Sequence, residues 1–93
     1  MKKIEWTINA KNEFNHTYNF WIEHNKSNLY SEKLLNETLK KVNLIAKNPK
    51  IGEENKRNET RRVLVLEIFS VIYKEEKSKI KVLSFFDNRR KPK

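Results

Sequence analysis

Most side chains in this 93-residue chain that could hold a charged partner are basic, and they come in clusters. Lys56-Arg57 and Arg61-Arg62 lie just past the middle, Lys74, Lys79 and Lys81 flank a short polar stretch, and Arg89, Arg90, Lys91 and Lys93 crowd the C-terminus. Arginine suits phosphate and carboxylate because its planar fork donates two parallel hydrogen bonds and does not deprotonate. Twenty-one Lys and Arg against twelve Asp and Glu leave a net charge of +9. Such a field draws polyanions over a Debye length of about 8–10 Å, and a nucleic-acid backbone or an acidic protein segment would answer it.

Other chemistries are poorly supplied. His16 and His24 fall in one predicted helix, two turns or about 12 Å apart, too far to share a metal, and read as structural or surface residues. Tyr73 ends an apolar run and reads as packing before it reads as a proton donor. With no cysteine there is neither a disulfide framework nor a thiolate metal site. No apolar run nears the roughly 18 residues needed to span a bilayer, and Lys2-Lys3 pass straight into Ile4-Glu5-Trp6 without an apolar leader core. The expectation is a cytoplasmic protein with no cofactor and no membrane partner. No groove-reading motif or aromatic stacking signature marks a dedicated nucleic-acid-binding module.

The elements that must position the basic clusters follow from the apolar pattern. IEWTI at 4–8 reads as a first strand, with Thr7 or Asn9 able to cap a helix. Ala10, Phe14, Tyr18, Trp21 and Ile22 recur at helical spacing to about His24, and Asn25 to Asn28 form a polar break in which Ser27 or Asn28 can cap a second helix. Leu34, Leu35, Thr38, Leu39, Val42, Ile45 and Ala46 then fall within an arc of about 140° and predict a core face, closed off by Pro49 and Gly52. Glu53 to Glu59 is polar throughout and reads as a mobile loop. Three β-prone runs follow at 61–67, 68–75 and 79–86, the first two abutting without a turn signal. The expected fold is α+β: a strand and a helical hairpin, then three antiparallel strands, with the helices packed on one face of an antiparallel sheet and the other face left open. Arg61 and Arg62, if both in a strand, point to opposite faces, so one reaches the open side. A chain of 93 residues has room for one core and no second domain, and so small a core gains from a partner that covers apolar surface.

Over nearly its whole length the chain resembles the RelE/ParE superfamily of toxins from bacterial type II toxin–antitoxin systems. The marks are Trp6-Thr7 followed by Ala10 and Phe14, Asn48-Pro49-x-x-Gly52 after the second helix, and Arg61-Arg62 leading into a strand. Ser70-Val71-Ile72-Tyr73-Lys74 and the closing Phe85-Phe86-Asp87-Asn88-Arg89-Arg90-Lys91-Pro92 complete them. The resemblance implies a single toxin domain that inhibits growth through its basic sheet face and is neutralised by a cognate antitoxin in a hetero-oligomer. RelE-like members cleave mRNA in the ribosomal A site without a metal, whereas ParE-like members poison DNA gyrase and are not nucleases.

Metal-free RNA cleavage needs a base for the 2′-hydroxyl, cations for the phosphorane and an acid for the leaving oxygen. RelE-like members usually place a His or Tyr at or just after the end of the last strand, and the stretch from Ser84 to Pro92 has neither. The density of arginine and lysine nonetheless tilts the reading towards mRNA cleavage. Arg61, Arg62, Arg89 and Arg90 are then the candidate catalytic cations, and Lys56, Arg57, Lys74, Lys81 and Lys91 candidate contacts to nucleic acid or antitoxin. Inhibition of gyrase without catalysis is the alternative.

Overall fold

Thr7 is the residue at which strand gives way to helix. Its hydroxyl accepts a hydrogen bond from the Ala10 N–H at 3.1 Å, satisfying one of the orphan donors of the first turn. The opening strand therefore ends sooner than the sequence suggests, as β1 (Lys3–Trp6), and α1 runs Ile8–Asn25. Lys26, left-handed at φ 55°, closes α1 by donating its N–H to the Ile22 carbonyl. Ser27 accepts from the Leu29 N–H, while Asn28 turns its amide to Glu32, and α2 runs Leu29–Lys47. The computed structural model describes residues 1–90.

Four strands follow: β2 (Glu53–Asn55), β3 (Thr60–Val65), β4 (Phe69–Glu75) and β5 (Lys79–Asp87), in the sheet order β1-β5-β4-β3-β2. β3, β4 and β5 are antiparallel, as expected, and β2 adds antiparallel to β3, but β1 lies parallel to β5 at the edge, so the sheet is mixed. Charge pins that parallel register: Lys79 bonds Glu5, and Lys2 reaches Glu75 and the Glu76 carbonyl. β2 also corrects the expectation of a mobile loop. Glu53 and Glu54 stand opposite Arg62 and Arg61, with ion pairs at 3.5 and 3.8 Å, and this cross-strand complementarity orders an edge that has no apolar residue.

The absent turn signal between β3 and β4 has a simple cause. Leu66 and Glu67, both at positive φ (52° and 64°), are the central residues of a turn closed by the Ile68 N–H on the Val65 carbonyl, within a three-residue connection that Ile68 completes, and a type I′ turn ordinarily takes Asn or Gly at those two positions. A left-handed non-glycine residue costs about 1–2 kcal/mol, and glycine gives back part of that relief as chain entropy. Glu67→Gly, at an exposed position, is therefore expected to stabilise the protein by about 0.5–1 kcal/mol, read as a raised thermal midpoint; a lowered midpoint would contradict the turn assignment.

A bulge at Leu83, where the register passes from Tyr73↔Val82 to Ile72↔Ser84, swaps the phase of β5 so that Phe85 rather than Ser84 enters the core. Both helices cover one face of the sheet, burying Ala10, Phe14, Leu34 and Ile45 against Val63, Val65, Phe69, Val71, Tyr73, Ile80, Val82 and Phe85. Leu39 departs from its predicted place: it sits at the far rim of the α2 arc and is 47% exposed. No helix among the described residues is long and apolar enough to cross a membrane.

Candidate functional site

Strand alternation decides which basic residues share the open face. On β3, Arg61, Val63 and Val65 point towards the helices, and Arg62 and Leu64 point away. Arg62 is paired across the ladder with Ile72, and Leu64 with Ser70, itself opposite Phe86. One step along, Lys74 faces Lys81, and Lys81 faces Glu5. The open face is thus a small apolar ridge of Leu64, Ile72 and Phe86 bordered by Arg62 on one side and by Lys74, Lys79 and Lys81 on the other. A cleft of about 530 Å³ opens there, lined by Glu53, Asn55, Lys56, Arg62, Ile72 and Phe86 among others.

The lysines are held by carboxylates: Lys74 lies 4.0 Å from Glu59, Lys81 3.8 Å from Glu76, and Lys79 against Glu5. Glu5 raises the pKa of Lys79, the opposite of what a lysine base would need. Arg62 has 43% of its side chain exposed and, among the described residues, only the more exposed Glu53 as a partner, so it is the arginine of the pair more open to an external anion.

Arg61 has another task. With 19% of its side chain exposed, it donates to the Gly52 carbonyl at 2.8 Å and the Lys50 carbonyl at 3.2 Å, strapping down the segment that leaves α2. Tyr73 completes the strap from below. Its buried hydroxyl donates to the Pro49 carbonyl at 2.7 Å and accepts from the Gly52 N–H at 3.0 Å. Burial raises its pKa, with the Gly52 N–H opposing. Any side chain at Gly52 would strike this phenol, since a Cβ there would lie 2.7 Å from the hydroxyl oxygen. The Asn-Pro-x-x-Gly sequence and Tyr73 thus form one packing unit, and the phenol is unavailable for proton transfer. Tyr73→Phe should cost about 1–3 kcal/mol in chemical denaturation, because it strands a buried N–H and a carbonyl; an unchanged midpoint would show that water replaces the hydroxyl.

The second basic cluster lies elsewhere, at the end of β5 beside α1. Arg89 grips the buried Asp87 with its fork (3.1 and 2.8 Å) and holds that carboxyl below its usual pKa. Its guanidinium sits 5.4 Å from the Trp21 ring centre, while that of Arg90 sits 3.8 Å from the Phe20 ring centre. Arg89 and Arg90 therefore do not line the Arg62 cleft, although Phe86 lines both that cleft and a second one next to Arg90. Arg57 and Lys56 are exposed in the turn between β2 and β3. Lys91 lies outside the described residues. His16 borders the second cleft and His24 stacks on Phe20, so neither is on the open face. Among the described residues no group of three or more His, Cys, Asp and Glu could hold a metal.

Sequence reasoning missed two features. The Glu53-Glu54 to Arg61-Arg62 pairing was visible as opposite charges at hairpin spacing. The aromatic shelf under Arg89 and Arg90 was not, because it joins Phe20 and Trp21 of α1 to residues some seventy positions later that only the fold brings together.

No family model matches the chain, and no curated protein matches it in sequence. Among solved structures, a chain described as "Chromosomal ParDE TA system from P. aeruginosa" superimposes with a TM-score of 0.77 at 14% identity, covering 94% of this chain and 96% of that one. The chain has the fold of that ParDE chain, from β1 through the helical hairpin to the end of the sheet.

Proposed function

We propose that the chain is the toxin of a type II toxin–antitoxin module, that it engages its target through the open sheet face around Arg62, and that a cognate antitoxin neutralises it. The shared fold with a ParDE chain and the sequence marks of the RelE/ParE superfamily support the module. The charge of +9, with Arg62 half-exposed on the face opposite the helices beside the exposed Glu53, supports the face.

Between the two modes of the superfamily, the geometry favours inhibition by binding, with DNA gyrase as the target, over mRNA cleavage. One observation carries this: among the described residues no histidine or tyrosine reaches the open face. Both histidines are on α1, Tyr18 and Tyr30 are on the helices, and the hydroxyl of Tyr73 is spent beneath the sheet on Pro49 and Gly52. Cations without an acid or base bind an anionic surface but supply only part of what phosphodiester cleavage requires. Arg62 beside the apolar ridge of Leu64, Ile72 and Phe86 has the composition of a protein-binding anchor, since arginine and aromatic side chains dominate interface hot spots.

The test pairs two assays on the purified protein. Added to gyrase and relaxed plasmid, it should cause cleaved DNA to accumulate; added to ribosomes programmed with an mRNA, it should leave the message intact. Cleavage of the message with gyrase unaffected would reverse the choice of mode.

A further inference from the structure

The two helices and the end of β1 enclose a slot on the helical side of the molecule, away from the Arg62 face. Lys11, Phe14 and Asn15 share one stripe of α1, and Leu35, Thr38 and Leu39 share one stripe of α2, each set at the three- and four-residue spacing that makes side chains neighbours. With Trp6 they bound about 340 Å³, at the lower end of the range of small-molecule pockets. The walls are apolar: Trp6 stands edge-on to Phe14 at 5.9 Å, and Leu35 packs against the same core. Leu39, nearly half exposed, forms the open rim.

Thr38 is the anomaly in this slot. A hydroxyl inside a helix commonly donates to the carbonyl four residues back, as Thr17 does to Glu13 at 3.0 Å, and the buried Ser31 finds the Tyr18 carbonyl at 2.7 Å. Thr38 is fully buried, and its Oγ1 is the one buried side-chain polar atom left without a partner among the described residues. Such an atom costs stability, which calls for a reason. Apart from Lys11 and Asn15 on the α1 edge, the other side chains around the slot are carbon, too few partners for a water at Thr38, which needs two to four. The one charge at the slot is also unspent. Lys11 is exposed and makes no ion pair with the described residues. The acids around it are committed elsewhere: Glu5 and Glu76 answer Lys79 and Lys81, and Glu37 answers Lys40.

We propose that this slot binds a small aromatic carboxylic acid bearing a hydroxyl at the far end of its ring. The carboxylate meets Lys11, the ring lies against Trp6, Phe14 and Leu35, and the ring hydroxyl meets Thr38. Each part of that ligand answers one feature of the slot. A threonine hydroxyl both donates and accepts, so a phenol satisfies it in either direction. A purely aliphatic acid would leave Thr38 stranded, and a neutral phenol would leave Lys11 idle. The site stands apart from the Arg62 face and does not depend on which target that face engages.

The test is a heteronuclear NMR titration of the isotope-labelled protein with 3-(4-hydroxyphenyl)propionate and with 3-phenylpropionate, which lacks only the ring hydroxyl. Saturable shifts should centre on the amides of Lys11, Asn15, Thr38 and Leu39 and on the Trp6 indole N–H, and the hydroxylated acid should bind about threefold to tenfold more tightly. Thr38→Val keeps the shape of the side chain and removes the hydroxyl. It should abolish the preference between the two acids while raising the thermal midpoint of the free protein, a pair of changes that a merely structural hydroxyl would not produce. Lys11→Gln, at an exposed position, should weaken both acids by about threefold or more, and Lys77→Gln, in the turn between β4 and β5, should weaken neither. No saturable shift at these residues up to about 5 mM of either acid would overturn the proposal. So would a preference that survives in a folded Thr38→Val protein, or a midpoint lowered by that change. Shifts at the same residues on concentrating the protein alone would give the slot to a second copy of the chain and overturn it too.

Discussion

Leu34→Ala is expected to cost about 2–5 kcal/mol, and Leu39→Ala, five residues along the same helix, less than about 1 kcal/mol. Leu34 is fully buried and packs within the cluster that joins α2 to the sheet. Removing its three terminal carbons leaves a cavity that close-packed neighbours fill only in part. Leu39 is nearly half exposed at the rim of a shallow slot with Trp6, Phe14 and Leu35, so truncation there removes little that folding had dehydrated. A 93-residue protein holds roughly 5–14 kcal/mol of stability, so the Leu34 variant is expected to be close to unfolding at elevated temperature. Urea denaturation of both variants measures the difference. Equal losses, or a larger loss at Leu39, would mean that the α2 stripe is rotated from the position described.

The same pair shows where periodicity stops informing. The 100° spacing of α2 placed Leu34, Thr38, Val42, Ile45 and Ala46 correctly on the buried face, yet it assigns no width to the contact. The helical hairpin and the three long strands were legible because each carries enough apolar residues in phase to report its own burial. β2 was not, since cross-strand ion pairs and not hydrophobicity hold it. The Leu66-Glu67 turn was hidden because its residues contradict the turn chemistry they perform. The parallel placement of β1 depends on pairing across more than seventy residues, which no local pattern encodes.

Of the candidate site residues, alternation along the strand separated Arg61 from Arg62 but could not say which faced the helices. That follows from the fold, in which Arg61 shares its side with Val63 and Val65 and donates to the Gly52 and Lys50 carbonyls. The C-terminal arginines, grouped with Arg61 and Arg62 as candidate catalytic cations, do not line the Arg62 cleft. They are instead drawn to the aromatic rings of α1, where an arginine gains both stacking and cover.

Arg62→Ala should leave the protein folded and markedly reduce its toxicity. The side chain is exposed and its ion pair to Glu53 is at the surface, where such pairs contribute about 0–1 kcal/mol. A charge-assisted contact to a target is worth about 1.5–3 kcal/mol, or roughly 10–150-fold in binding. Arg61→Ala is a less informative change, because it frees the Gly52 and Lys50 carbonyls and weakens the fold itself. The direct measurement is growth after induction of the wild type, Arg62→Ala, His16→Ala and His24→Ala, with soluble protein levels and circular dichroism matched across the four. Binding through the open face predicts arrest by the wild type and both histidine variants and continued growth with Arg62→Ala; full arrest by a well-folded Arg62→Ala, with growth restored by a histidine variant, would contradict it.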